Sequence, residues 1–143
     1  MPSDLAMKAM NAVHRGVLTI SRGRVGWRAK QMPVIELVTT GRRTGERRAV
    51  LLTSPYQEDS TLVVVASRGG DDRHPAWYLN VLADPEVDVV MQGRSNPMRA
   101  HAATAEERAR LWPLVTAAHP HYAGYQRKTE REIPLVLLGP RTG

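Results

Sequence analysis

Apolar positions along the chain change period several times, and each change marks an element. Ser3 caps a predicted helix whose apolar residues Ala6, Met10, Val13, Val17 and Leu18 recur at three- and four-residue spacing until Gly23. The flexible run "SRGRVGWRAKQMP" follows, and Pro33 opens "VIELVTT", where Ile35, Leu37 and Thr39 alternate with Val34, Glu36 and Val38 as in a strand. After "GRRTGE" the apolar pattern resumes in "RRAVLLTSPY", turns at "EDST" and continues into the β-branched "TLVVVAS", which reads as a central, well-buried strand. Three sequential strands on short turns predict an antiparallel meander.

The second half alternates hairpins and helices. Pro75 suits the first turn of a short helix carrying Trp77, Leu79 and Leu82, which Pro85 stops. "EVDVVMQG" and "PMRAHAAT" form a second predicted hairpin around "GRSN". Thr104 and Glu107 match a capping box ahead of Leu111, Leu114, Val115 and Ala118, and "HPHYAGYQRKT" breaks and restarts that helix. "IPLVLLG" is a final strand. About six mainly antiparallel strands with helices between hairpins predict an α+β, barrel-like domain over 33–143, preceded by a basic amphipathic helix and linker over 1–32.

Charge sharpens this picture. The formal net charge is +6, and up to Gln31 six basic residues face one acid, Asp4, so the arm nearly accounts for the excess. The other basic concentration is Arg42, Arg43, Arg47 and Arg48, bracketed by Gly41 and Gly45. Such a turn brings backbone N–H groups and planar donor forks to a phosphate or carboxylate, though an ordinary solvated hairpin reads equally well from the motif in isolation. With no cysteine there is no disulfide, thiolate metal site or thiol nucleophile. The chain carries no signal-type segment and no stretch of the roughly 20 apolar residues a membrane span needs, which predicts a soluble protein of a reducing cytoplasm.

The meander places the end of "TLVVVAS" at the same end of the sheet as the arginine turn, so "ASRGG" and "TTGRRTGE" face one site. Read locally, Trp77 is a core anchor, His74 a capping or surface residue, and the acid pairs Glu58/Asp59, Asp71/Asp72 and Glu106/Glu107 are solvated. Tyr122 and Tyr125 share one helical face and can wall an apolar pocket or supply a weak proton donor; packing against the sheet is the alternative. His119 and His121 lack further ligands at credible spacing, so no metal is expected. There is no GxGxxG, Walker or GxSxG motif, and no basic stripe interleaved with aromatics of the kind nucleic-acid binding requires.

"ELVTTGRRTGERR", "VVVASRGGDDRHPAWYLNVLADPEVDV", "EERARLWPLV" and "YAGYQRKTEREIPLVLL", in this order and spacing, resemble the deazaflavin-dependent nitroreductase family, which uses reduced coenzyme F420, an 8-hydroxy-5-deazaflavin. The resemblance runs from about residue 33 to 139 and implies a split β-barrel related to flavin-binding folds. It also implies that Arg42, Arg43, Thr44 and Arg48 bind the cofactor's phosphate and the start of its oligoglutamate tail. Ala66, Ser67, Arg68 and Gly69 would line the deazaflavin edge and phosphate, while Pro75, Ala76, Trp77, Tyr78 and Asn80 enclose the ring system. Tyr122 and Tyr125 match tyrosines that shape the substrate pocket and assist protonation.

Three positions depart from the family pattern: Arg68 stands for a common lysine, His119 for a tyrosine, and Thr53 for an aromatic residue. The departures bear on nitroimidazole reduction and leave cofactor use intact. The implied activity is hydride transfer from F420H2 to an electron-poor alkene, quinone or nitro-aromatic. An FMN-using oxidoreductase of the same barrel class and a polyanion-binding module remain the alternatives, and the basic helix leaves peripheral membrane contact open. Arg47 is expected on the strand face opposite Arg48 and outside the anion clamp.

Overall fold

The structure is a computed structural model that describes residues 32–141 together with the backbone of Arg28–Ala29. The expected N-terminal helix lies outside the described residues. Eight strands are described: β1 (Arg28–Ala29), β2 (Met32–Thr40), β3 (Arg47–Thr53), β4 (Tyr56–Glu58), β5 (Thr61–Val65), β6 (Glu86–Met91), β7 (Arg94–Ala102) and β8 (Leu135–Pro140). Three helices accompany them: α1 (Ala76–Ala83), α2 (Ala105–Ala118) and α3 (His121–Arg127). The two strands that the sequence pattern did not separate, β1 and β4, are two and three residues long, too short to set a period of their own. β1 pairs with Met32 and Pro33, so strand pairing crosses the expected boundary after residue 32.

The strand order is β1-β2-β6-β7-β8-β5-β4, with β3 pairing β2, and every pairing is antiparallel. The expected meander is therefore only half right. β3 pairs β2 in the register Thr39↔Arg48, but β5 pairs β8 instead of β3. The chain leaves β3 at Ser54–Pro55, where proline has no N–H to extend a ladder. Ser54 spans this split: its N–H donates to Pro33 O, and its buried hydroxyl donates to Val63 O at 2.7 Å. Four antiparallel steps from β2 through β6, β7 and β8 to β5 restore the original direction, so the C-terminal ends of β2 and β5 still point the same way.

Two apolar layers meet at the sheet. Ile35 and Leu37 of β2, Val87 and Val89 of β6, Val64 of β5, and Val136 and Leu138 of β8 share one core with Trp77, Tyr78 and Val81 of α1. On the other face, Val63, Val65, Leu135 and Leu137 pack with Leu111 and Val115 of α2 and Tyr122 of α3. Consecutive residues of β5 and β8 are thus buried on opposite faces, which explains their unbroken apolar runs. The expected capping box starts α2: Thr104 Oγ1 accepts from Glu107 N, and Glu107 Oε1 accepts from Thr104 N. No helix among the described residues is long and apolar enough to cross a membrane.

Candidate cofactor site

A side chain of α1 ties the arginine turn to the barrel. Asn80 of α1 is buried; its Oδ1 accepts from Arg42 N at 3.1 Å, and its Nδ2 donates to the buried Thr39 hydroxyl at 3.0 Å. The turn itself needs glycine at its start: a Cβ on Gly41 would lie 3.0 Å from Thr44 Oγ1 and 3.2 Å from Glu46 O. Gly41 N donates to Glu46 O, and Thr44 Oγ1 accepts from Glu46 N, closing the loop on itself.

Arg42, Arg43, Thr44 and Arg48 are all exposed. The Arg42 and Arg43 side chains have no hydrogen-bond or ion-pair partner among the described residues, and Arg48 meets the exposed Glu46 at 3.2 Å. Arg47 is different: it donates to Thr40 Oγ1 and to Asp88, which fixes it on the outer face as the strand alternation predicts. The three remaining guanidinium groups form a donor set of the right chemistry for a phosphate and carboxylates.

The second loop leaves β5 through Ala66 and Ser67 into a short 3-10 turn at Arg68–Gly70. Arg68 and Gly69 both sit in the left-handed region, at φ 47° and 65°. For Arg68 this conformation is strained, and strain of this kind gathers at ligand sites. The Arg68 guanidinium does not join the exposed donors. It is buried and donates to Asp71 Oδ2 at 3.1 Å, with side-chain exposures of 5% and 9%.

Asp71 therefore corrects the expectation of a solvated acid pair. It also accepts from Arg73 N, and that bond, with Arg68 and Arg73 nearby, holds its carboxyl below the usual aspartate range although burial opposes it. Asp72 is exposed, Glu58 forms a two-bond pair with Arg110, and Glu107 caps α2.

Pro75 caps α1 without a side-chain bond, Ala76 is exposed, and Trp77 and Tyr78 are buried with their rings edge to face. His74 is a second correction. It is half-buried, lies 4.8 Å from the Tyr78 ring, and its Nδ1 is 3.1 Å from Arg131 Nη1. Arg131 further donates to the carbonyls of Ala66, Ser67 and Asp71. No local sequence signal distinguished Arg131 from the other charged residues in "QRKTERE".

α3 closes on the 3-10 turn, where a Cβ on Gly70 would fall 2.8 Å from Tyr125 O. Tyr122 and Tyr125 do share a face, with ring centroids 6.0 Å apart, and the His119 and His121 rings pack against Tyr122. The Tyr122 hydroxyl is buried between Thr53 Oγ1 at 3.2 Å and Met32 Sδ, and burial pushes its phenol above the usual range. Tyr125 is only partly buried and takes Lys128 over its ring.

The antiparallel sheet with its flanking helices defines a split-barrel fold class, here carrying an arginine turn and a glycine-bearing loop. A pyridoxamine 5'-phosphate oxidase-related, FMN binding protein from Nostoc punctiforme shares this fold at 14% identity and a TM-score of 0.52, covering 90% of this chain and 78% of that one. Residues 12–140 match the family described as F420H(2)-dependent quinone reductase, and the chain belongs to that family. An F420H(2)-dependent quinone reductase of Mycobacterium tuberculosis is 34% identical over 142 residues, 94% of this chain and 90% of the relative. The solved structure of an F420-H2 dependent reductase, FDR-A, is 40% identical with a TM-score of 0.66, covering 74% of this chain and 93% of that one.

Proposed function

We propose that the chain is an F420H2-dependent oxidoreductase that reduces a quinone to its hydroquinone. The observation that carries this reading is the Asn80 link, which ties the exposed arginine donors to the helix whose Trp77 and Tyr78 complete the barrel core. Family membership across residues 12–140 supports the same reading.

Bound F420H2 supplies the hydride. The chain's contribution is to bind and orient. Arg42, Arg43 and Arg48, with the Thr44 backbone, would hold the phosphate and glutamate tail. The Ala66–Gly69 loop and Pro75, Ala76, Trp77 and Tyr78 would flank the ring system, with Asn80 acting through the turn it anchors. Because Trp77 and Tyr78 are set by core packing, their positions do not depend on the ligand, and such preorganisation favours a productive orientation. Tyr122 stays neutral in its buried setting and serves as pocket wall with Tyr125, while water supplies the proton that completes the two-electron reduction.

The basic arm over 1–32 would hold the enzyme at the cytoplasmic face of the membrane, where an apolar quinone resides; its charge and amphipathic spacing support this. The test is anaerobic mixing of the protein with F420H2 and a soluble quinone, following the return of oxidised F420 absorbance. Enzyme-dependent oxidation of F420H2 that requires the quinone is expected, and a rate equal to the protein-free control contradicts the reading.

A further inference from the structure

Arg131 gathers the loop that precedes α1 around one cation. Its Nε donates to Asp71 O at 2.8 Å, its Nη2 to Ser67 O at 2.9 Å, and both terminal nitrogens reach Ala66 O at 3.3 Å. Its own backbone is fixed by Gln126, whose Nε2 donates to Arg131 O at 2.7 Å. Gln126 Oε1 accepts from Ile133 N and from Arg108, so the amide cannot flip without losing all three bonds. The remaining contact, Nη1 to His74 Nδ1 at 3.1 Å, has a chemical consequence.

A guanidinium has N–H donors and no acceptor, so His74 Nδ1 must be the acceptor in this pair. A neutral imidazole carries one N–H, which therefore sits on Nε2, on the edge of the ring that diverges from Arg131. A second proton on Nδ1 would break the contact and face the guanidinium charge. Burial and Arg131 both lower the proton affinity of His74. The charged and titratable groups around the His74–Arg131 pair are Tyr78 from α1 and Arg68, Asp71 and Asp72 on the loop that precedes His74.

We propose that Arg131 is a positioning residue that locks His74 as the neutral Nε2–H tautomer, so that His74 presents one fixed hydrogen-bond donor to a ligand carbonyl oxygen beside Tyr78. The tautomer is a property of this chain alone. The carbonyl acceptor rests on the proposed function, under which both the cofactor's ring system and the quinone carry carbonyl oxygens.

Two measurements test the two halves. In the ligand-free, full-length protein, isotope-labelled at the histidine nitrogens, long-range nitrogen–proton correlation spectra at neutral pH report the tautomer. The His74 signals are assigned by their loss in His74→Gln. The expected pattern has Nε2 protonated and Nδ1 bare, and it gives way in Arg131→Met to a tautomer mixture that takes up its second proton at higher pH. An Nδ1–H pattern, or a doubly protonated ring at neutral pH in the parent, overturns the assignment. The parent spectrum decides this even where Arg131→Met does not fold.

For the donor, His74→Leu removes the N–H and His74→Gln restores one near the Nε2 position. Fluorescence titration with F420 in the absence of quinone reports one acceptor, and the quinone KM at saturating F420H2 reports the other. One of these constants should weaken about tenfold in His74→Leu and stay within about twofold of the parent in His74→Gln. Which one weakens tells which carbonyl is met. If neither moves in His74→Leu, the donor role is wrong. If the parent itself fails to bind F420, the proposed function falls and takes the acceptor with it, while the ligand-free spectrum still decides the tautomer.

Discussion

Asn80→Ala removes the side chain whose hydrogen bonds join the arginine turn and the end of β2 to α1, and its effect can be worked from the two bonds it makes. The Nδ2 bond to Thr39 Oγ1 is fully buried, with Asn80 at 6% exposure and Thr39 at 1%, so the truncation leaves a hydroxyl that water reaches poorly. Losing such a bond costs about 1–2 kcal/mol. The bond from Arg42 N is only part-buried, and water can replace much of it, for a cost of about 0.5–1 kcal/mol. The sum is roughly 1.5–3 kcal/mol of stability, read from urea unfolding with an unchanged slope. Because Arg42 N loses its anchor, F420 affinity should fall about tenfold in a fluorescence titration at a temperature where the variant is folded. Thr39→Val is the control: it breaks the buried bond and keeps the Arg42 anchor, so most of the stability loss should appear with little loss of affinity. Equal affinity for Asn80→Ala and parent would refute the idea that this amide positions the clamp, and a stability change under about 0.5 kcal/mol would refute the bond accounting.

Three further outcomes follow from the packing and the charges. Tyr122→Phe should lower the turnover of F420H2 and quinone less than about threefold, because a general acid would contribute a hundredfold or more; a loss of that larger size would make the Tyr122 phenol the proton donor instead of pocket wall. Asp71 has a depressed carboxyl in the folded chain, so its stabilising contribution is complete above the ordinary aspartate value near pH 4 and is lost as pH falls through the lower folded value. Asp71→Asn should therefore show a shallower acid limb in stability measured against pH, and an unchanged limb would contradict the sign. Leu111→Ala empties a fully buried position between α2 and the sheet and should cost about 2–4 kcal/mol in urea unfolding; a cost under about 1 kcal/mol would mean that α2 does not pack as described.

Local pattern carried much of the fold. The β2–β3 and β6–β7 hairpins, the start of α1, the capping box of α2 and the break before α3 were each legible because the responsible residues lie within a few positions of one another. The meander failed for the converse reason. β5 is apolar on both faces, so its pattern states that it is central without stating its neighbour, and the choice of β8, some seventy residues away, is tertiary. The site shows the same division. Arg47 could be set apart from Arg48 by strand alternation alone, and its bond to Asp88 follows that rule. Asp71, His74 and Arg131 could not be read in advance, because one half-buried cation joins the end of β5 to the segment after α3, and nothing within "QRKTERE" itself singles that residue out.

Binding of the cofactor by the arginine turn is the central claim, and one titration tests it most directly. F420 and FMN are added separately to the parent and to the Arg42→Ala/Arg48→Ala double variant, with spectral or fluorescence change as the signal. F420 should bind the parent at micromolar or lower concentration, more tightly than FMN, and should bind the double variant at least about tenfold more weakly, since two charge-assisted contacts are lost. No F420 binding at micromolar concentration, a preference for FMN, or a double variant that binds as tightly as the parent would contradict the account.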